Sequence, residues 1–308
     1  TTEIYTLSLH DALPIYQHEI GVKESLLLSA GYITVGLLFA VWVWFQKGGD
    51  AGMDYLTGFL IEKSLSMDNV FLMAVIFSFL GIPRRYQHKV LFWGILGVIV
   101  LRAVMIGLGA ALIHQFSWIL YVFGVFLVLT GVRMLFARVD ETPDLENNLL
   151  VRFLRSHLRI TDRLHEQRFF VRQPDASGRP VLWITPLFLA LILIECADVV
   201  FAVDSVPAIF AITQDPFIVY TSNIFAILGL RALYFALAAL IHRFAYLKYA
   251  LALVLVFIGG KIFLVGIIGK IPAALSLGVT LTLLIGGVLV SLWKTRHAAG
   301  DATRASQR

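Results

Sequence analysis

The chain has 308 residues, of which 59% are hydrophobic and only 15% are charged. Soluble domains carry roughly a quarter charged residues, so this composition excludes an ordinary soluble protein. The formal net charge is +5, but Lys and Arg cluster between apolar runs, which is typical of a membrane topology signal and not of a nucleic-acid-binding surface. We therefore predict an all-α polytopic membrane protein that binds no nucleic acid.

The first residues of the chain do not look like part of a fold. The stretch "YTLSLHDALPI" at 5–15 has neither the apolar run of a signal peptide nor a helical period, and it resembles the translation of a sequencing adapter. We expect residues 1–16 to be an artefact of that kind. We also expect the intact protein to have one further helix upstream.

Eight apolar runs follow, and each is long enough to cross a hydrocarbon core of about 30 Å as a helix. Together they form one predicted transmembrane domain over 25–293, with eight spans as written and nine if the upstream helix is added. The predicted spans are 25–45, 55–80, 90–113, 117–136, 183–212, 217–241, 246–269 and 272–293.

The connections between these spans alternate in charge. The connections 81–89 and 137–181 are basic, the second with eight arginines, whereas 114–116 and 213–216 contain no Lys or Arg. Basic connections of membrane proteins stay in the cytoplasm. The basic connections and the basic tail at 294–308 are therefore predicted to be cytoplasmic.

The connection 137–181 is the one segment that looks soluble. Its part "LLVRFLRSHLRITDRLHEQ" has apolar and basic positions spaced as in an amphipathic helix lying on the inner leaflet. The next part, "FFVRQPDASGRPVLWIT", is apolar on both sides of an Asp-Ala-Ser-Gly turn, which predicts a short hairpin. We expect this loop to be the surface that protein partners contact.

The chain also contains an internal repeat. The pattern Glu-x-x-Leu-x-x-Asp-Asn-Val at 62–70 matches Asp-x-x-Phe-x-x-Asp-Ser-Val at 198–206, and "ALIHQF" further on matches "ALIHRF". Repeat one is predicted over 55–136 and repeat two over 183–269. Each repeat holds three spans, and an odd number inverts the second repeat relative to the first, which is a recurring plan of transporters.

Five carboxylates stand within the acidic spans, where an ionised group costs about 2.5–3.5 kcal/mol on insertion scales. Arg102 and Arg231, at equivalent positions of the two repeats, are the predicted counter-ions. One interpretation is that acids and arginines form buried ion pairs that lock the helices together. The other is a functional site, and it is favoured because the acids outnumber these arginines and leave an excess of negative charge for a cation.

The side chains around these acids offer mainly oxygen atoms. Oxygen ligands favour a hard divalent cation such as Mn²⁺, Mg²⁺ or Ca²⁺, whereas copper and zinc usually recruit sulfur or imidazole. Pro207 is expected to break the second acidic helix and to turn Asp204 toward the other acids. The predicted metal ligands are Glu62, Asp68, Asn69, Glu195, Asp198, Asp204 and Ser205.

Several motifs in this chain resemble those of one family. "GFLIEKSLSMDNVF", "LILIECADVVFAVDSVPAIFA" and "LKYALALVLVFIGGKIFL" resemble the TerC family of bacterial membrane proteins, and within it the Alx branch, over about residues 25–293. The resemblance implies an inverted-repeat transporter fold in the bacterial inner membrane and a role in manganese export, in a family named for tellurium resistance. It also implies that the family's acidic motif residues fall on the seven predicted ligands.

The predicted function is thus the export of Mn²⁺ by alternating access between the two inverted units. The alternative is a non-transporting membrane component of a tellurite- or metal-stress complex that is anchored through 137–181. The chain has no Gly-x-Ser-x-Gly, no His-Glu-x-x-His and no phosphate-binding loop, so we expect no enzymatic activity. The expected partners are the transported metal ion and the lipid bilayer, and no resident cofactor is expected.

Overall fold

A computed structural model of the protein describes residues 22–136, 149–161, 163–174, 179–237, 247–269 and 271–305. Over this part of the chain it contains ten α-helices and one two-stranded sheet. The helices are α1 (Val22–Lys47), α2 (Gly49–Phe79), α3 (Arg84–Gln115), α4 (Ile119–Phe136), α5 (Leu149–His157), α6 (Pro186–Phe210), α7 (Pro216–Leu228), α8 (Leu230–Leu237), α9 (Leu247–Ile268) and α10 (Ala273–Ala305), and the strands are β1 (Phe170–Pro174) and β2 (Pro180–Ile184). The predicted artefact at 1–16 lies outside the described residues.

The predicted all-α membrane architecture is confirmed. Seven helical segments of the described chain are long and apolar enough to cross a membrane, with α7 and α8 counted together as one span. The remaining predicted span, 55–80, corresponds to helix α2, which has 31 residues. It falls outside the seven because Glu62, Lys63 and Asp68 stand in its middle. Helix α10 continues through most of the predicted C-terminal tail.

One span is interrupted inside the bundle. Helix α7 ends at Leu228, and α8 begins at Leu230 after Gly229. The ammonium group of Lys63 donates a hydrogen bond to the carbonyl oxygen of Ala226, at 3.1 Å, and so satisfies a carbonyl in the last turn of α7. A Cβ atom at position 229 would lie 2.8 Å from the Lys63 Nζ atom, so a larger residue there would force the Lys63 side chain to shift. The corresponding helix of the first repeat, α3, is continuous.

The helices pack in the pairs that a two-fold relation between the repeats requires. Such an axis exchanges α2 with α6 and α3 with α7, and α2 packs against α7 while α3 packs against α6. The third helices of the two repeats, α4 and α9, pack against each other. The inversion of the second repeat across the membrane stays a prediction.

The contact between α4 and α9 contains two equivalent close approaches, related by the internal repeat. A Cβ atom at Gly259 would lie 2.7 Å from the carbonyl oxygen of Gly124, and one at Gly131 would lie 2.6 Å from the carbonyl oxygen of Ala252. Gly131 and Gly259 are 128 residues apart, and so are Gly124 and Ala252. Each contact is therefore the counterpart of the other, and the helices approach backbone to backbone at both points.

The predicted hairpin is confirmed in the loop between α4 and α6. Strands β1 and β2 are antiparallel, with Phe170 opposite Ile184, and the predicted turn at 175–178 lies outside the described residues. The amphipathic helix is shorter than its pattern predicts and ends at His157. It ends there because the following chain turns to β2, where the Ile184 amide donates to the carbonyl of Arg159.

This loop is docked onto the bundle. Val151 of α5 is buried, and Leu154 packs beside it in a cluster that includes Val70 of α2 and Leu187 of α6. Helix α5, the predicted amphipathic helix, therefore packs its apolar face against the end of the bundle. Phe153 points away from this contact and is 57% exposed.

Candidate cation site

Four helices meet around the side chain of Arg102, which is only 1% exposed. Glu62 of α2 forms an ion pair with Arg102, and its Oε1 atom lies 2.8 Å from Nη1. Asp198 of α6 binds the same guanidinium with both carboxylate oxygens, which lie 3.1 Å from Nε and from Nη2. One arginine of the first repeat therefore compensates one acid from each repeat, in the geometry that guanidinium groups favour with carboxylates.

Neutral polar groups complete this cluster. Nη1 of Arg102 also donates to Oγ of Ser205 and to Oδ1 of Asn223, both at 2.7 Å. The amide nitrogen of Asn69 donates to Asp198 at 3.3 Å. The network links α2, α3, α6 and α7, and its hydrogen bonds offset part of the cost of burying the charges.

A cavity of about 210 Å³ lies beside the cluster. At roughly 30 Å³ per water molecule, it has room for a metal ion together with several waters. Polar and acidic residues form one part of its wall and apolar side chains the rest. The lining residues are Glu62, Leu65, Asp68, Asn69, Arg102, Thr130, Met134, Phe201, Asp204, Ser205 and Leu255.

Asp68 and Asp204 face this cavity from equivalent positions of the two repeats. The hydroxyl of Thr130 in α4 donates to Oδ1 of Asp204 at 3.3 Å. The positive charge of Lys248 in α9 acts on Asp68. Arg102 forms its ion pairs with Glu62 and Asp198 instead, so the two aspartates are the acids most accessible to a cation in the cavity.

The predicted break at Pro207 is wrong. Helix α6 runs without interruption from Pro186 to Phe210, and Pro207 is buried within it. Asp204 reaches the cavity from a regular helix because six residues separate it from Asp198, which turns the two side chains about 120° apart. Asp198 thus faces Arg102 on α3, while Asp204 faces Thr130 on α4. Helix geometry divides the acids of α6 between two places.

Glu195 occupies a third place. Its carboxylate lies against Gly97 of α3, where a Cβ atom would collide with it. Its Oε2 atom is buried and has no hydrogen-bond partner among the described residues. Glu195 does not belong to the cavity lining, and neither does Asp198.

The seven predicted ligands therefore do not form one site but lie in three neighbouring environments. Five of them line the cavity, Asp198 is bound by Arg102, and Glu195 packs against α3. In the described part of the chain no three His, Cys, Asp or Glu residues are grouped closely enough to form a ready-made metal site. The side chain of Arg231, the second predicted counter-ion, lies outside the described residues.

The sequence interpretation missed two residues of this region, Asn223 and Thr130. Asn223 is fully buried in α7 and binds Arg102. An amide within the apolar run "PFIVYTSNIFAIL" was a signal for such a role, because buried amides need partners. Thr130 carried no comparable signal, since threonine is common in membrane helices and often bonds its own backbone.

The fold and this buried cluster define a polytopic membrane protein with a polar, acidic centre between its helices. Residues 47–299 match the family model described as "Integral membrane protein TerC family". The chain belongs to the TerC family.

Two relatives extend over nearly the whole chain. An "Uncharacterized membrane protein" of Rickettsia bellii is 48% identical over 293 residues, which cover 94% of this chain and 95% of the relative. The Escherichia coli protein named "Putative membrane-bound redox modulator Alx" is 49% identical over 284 residues, which cover 90% of this chain and 86% of the relative. No solved structure matches the chain.

Proposed function

We propose that this protein transports a divalent metal cation, and that its substrate is Mn²⁺ exported across the bacterial inner membrane. The proposal rests above all on the cavity that Asp68 and Asp204 line together, one from each repeat. Ionisable residues inside a membrane bundle mark substrate and ion pathways. In transporters built from repeats, such sites lie where the two repeats meet.

The unpaired oxygen atoms of the cavity support a cation as the substrate. Oε2 of Glu62 and Oδ1 of Asn69 are buried and have no hydrogen-bond donor among the described residues. Buried acceptors without donors are costly, and a positive ion would satisfy them. Together with Asp68 and Asp204 they supply the carboxylate and carbonyl oxygens that hard cations such as Mn²⁺ prefer.

Arg102 has the role of an internal counter-ion in this proposal. It binds both oxygens of Asp198 and one oxygen of Glu62 while Asp68 and Asp204 bind the metal, so the unpaired negative charge that faces the ion is limited. A site with fewer ionised ligands binds more weakly, and a transporter must also release its substrate. The interruption at Gly229 lies in α7–α8, the span that carries Asn223, so movement there would reach Arg102 directly.

The test is Mn²⁺ flux in proteoliposomes that contain the full chain. Asp204→Asn keeps the size of the side chain but removes an ionised ligand, and we expect at least a tenfold loss of flux, since even residues behind metal ligands contribute about 10–100-fold. Asp50→Asn is the matched control, because Asp50 is an exposed acid in the first turn of α2. Equal flux in the wild type and Asp204→Asn would overturn the assignment of the site, whereas wild-type flux no higher than that of protein-free liposomes would contradict transport and would favour a non-transporting membrane component.

A further inference from the structure

Several threonines of the membrane helices bond their own helix. The hydroxyl donates to the carbonyl oxygen four residues earlier in the same helix at Thr34, Thr57, Thr221 and Thr282. This is a usual arrangement of threonine in membrane helices. Thr130 of α4 differs, because its hydroxyl donates to Oδ1 of Asp204 in α6. The difference indicates that Thr130 serves the cation site and not its own helix.

This hydrogen bond engages one of the two carboxylate oxygens of Asp204. Both residues line the cavity, and the Thr130 Oγ1 atom lies 3.3 Å from Oδ1. The distance is longer than the range of about 2.5–3.0 Å for hydroxyl donors, as polar contacts of functional sites often are before the ligand binds. The hydroxyl proton makes Oδ1 the poorer metal ligand and leaves Oδ2 to the ion. Asp204 is thereby oriented for monodentate binding.

The internal repeat shows that this contact is not a general feature of the fold. Thr130 and Ile258 are 128 residues apart, which is the spacing that relates α4 to α9, so Ile258 is the counterpart of Thr130. Ile258 is fully buried, and its side chain has no polar atom. Asp68, the counterpart of Asp204, therefore cannot receive the equivalent hydrogen bond. The two aspartates of the cavity differ in how they are held.

The number of carboxylate oxygens that reach an ion distinguishes large from small divalent cations. Ca²⁺ takes about six to eight oxygen ligands and accepts both oxygens of one carboxylate. The smaller Mg²⁺ takes about six ligands in an octahedron and keeps several waters, and Mn²⁺ also suits octahedral oxygen sites. A carboxylate that is held by a hydrogen bond on one oxygen is therefore better matched to Mn²⁺ than to Ca²⁺.

We propose that Thr130 is a positioning residue of the cation site, and that it sets a preference for a small divalent cation over Ca²⁺ by holding Asp204 in monodentate binding. The inference rests on the proposed function, since it takes Asp204 as a ligand of the transported ion. Thr130 acts through Asp204 and is not required to touch the metal. It thus adds selectivity to a group of acids that every hard divalent cation could bind.

The experiment measures Mn²⁺ binding to the purified full chain in detergent, from the electron paramagnetic resonance signal of the free ion, with Ca²⁺ and Mg²⁺ as competitors. Thr130→Val keeps the shape of the side chain and removes the hydroxyl, whereas Thr130→Ser retains the hydroxyl. We expect Thr130→Val to weaken Mn²⁺ binding about tenfold, as the loss of a group that orients a metal ligand does. Relative to Mn²⁺, Ca²⁺ should then compete about threefold better, which is the order of one hydrogen bond, and Mg²⁺ should compete as before. Thr130→Ser should bind like the wild type.

A matched control and a double variant separate positioning from a general effect on the fold. Thr57→Val is the control, because Thr57 is a buried threonine of α2 whose hydroxyl bonds the Met53 carbonyl in its own helix. We expect it to bind Mn²⁺ like the wild type. Thr130→Val combined with Asp204→Asn should bind no more weakly than Asp204→Asn alone, because Thr130 acts through that carboxylate.

The outcomes distinguish this inference from the proposed transport. An unchanged ratio of Ca²⁺ to Mn²⁺ affinity in Thr130→Val overturns the inference, and so does Thr130→Ser binding as weakly as Thr130→Val. Additive losses in the double variant also overturn it, since Thr130 would then act on the fold and not through Asp204. Wild-type protein that binds Mn²⁺ without flux above protein-free liposomes contradicts transport but not the role of Thr130. Absence of Mn²⁺ binding by the wild type overturns both.

Discussion

Asp198 and Arg102 form a bidentate ion pair inside the bundle, with both carboxylate oxygens 3.1 Å from guanidinium nitrogens. Each residue comes from a different repeat, and each is almost fully buried. Glu62 shares the same guanidinium. The two repeats are thus joined at their centre by one positive charge between two negative charges, and neither repeat can be changed there without an effect on the other.

Arg102→Met should destabilise the protein strongly. The substitution leaves Glu62 and Asp198 buried without their counter-ion, and breaking a buried pair in this way costs about 3–5 kcal/mol. The measurement is the thermal unfolding midpoint of the purified protein in detergent, with Arg133→Met as the control because Arg133 is exposed on α4. Adding Asp198→Asn to Arg102→Met should recover part of the loss. Equal midpoints for the two arginine variants would show that the cluster is not stabilising.

Much of this fold could be predicted from the sequence, because membrane spans have a strong signal. Long apolar runs predicted the helices, and the Asp-Ala-Ser-Gly turn between apolar stretches predicted the hairpin. The internal repeat could be recognised because the matching motifs occur in the same order in both halves of the chain. The interruption at Gly229 was not predicted, since a lone glycine in an apolar run does not distinguish a break from close packing.

The candidate site was only partly predictable. The residue types of the acidic helices identified the region, and helical spacing placed Asp198 and Asp204 on different faces. The sequence could not show which acids Arg102 binds, because that depends on how α2, α3 and α6 cross. The break expected at Pro207 was wrong, because α6 accommodates the proline, which is buried, and continues as a helix to Phe210.

The packing of Glu195 against Gly97 gives a second prediction. A Cβ atom at Gly97 would collide with the Glu195 carboxylate and force that side chain to shift, so the unfolding midpoint of Gly97→Ala should lie below that of Gly107→Ala. Replacing Glu195 by alanine in the same chain should remove the collision and restore part of the loss. Gly107→Ala is the control, because a Cβ atom there would meet nothing within 4 Å. Additive effects of Gly97→Ala and Glu195→Ala would contradict this contact.

Neighbouring glycines of α9 allow a closely matched comparison. A Cβ atom at Gly259 would lie 2.7 Å from a backbone oxygen of α4, whereas one at Gly260 would meet nothing within 4 Å. Gly259→Ala should therefore push the two helices apart and lower the unfolding midpoint. Gly260→Ala should leave it unchanged or raise it, since alanine favours a helix by about 1 kcal/mol over glycine. If both variants behave alike in thermal unfolding, α4 and α9 do not approach as closely as described.

The ion pair between Lys47 and Asp215 links the end of α1 to the start of α7, where two membrane spans end. The Lys47 Nζ atom lies 2.5 Å from the Asp215 carboxylate, which also accepts a hydrogen bond from the amide of Phe217 as the cap of α7. Burial alone would raise the pKa of Asp215. The hydrogen bonds from Lys47 and from the Phe217 amide outweigh this effect and hold the pKa below its ordinary value.

A lowered pKa means that the folded protein favours the ionised form of Asp215. Its contribution to stability is therefore complete above the ordinary pKa, which is about 3.9 for aspartate, and is lost as the pH falls below that value through the lower pKa of the folded state. Asp215→Asn keeps the cap but removes the charge, so we expect its free energy of unfolding at pH 7 to be lower than that of the wild type by less than about 1 kcal/mol, because the pair is exposed. The difference should shrink near pH 3, and Lys47→Gln should show a similar loss at pH 7. A difference that stays constant between pH 7 and pH 3 would mean that the charge of Asp215 does not stabilise the fold.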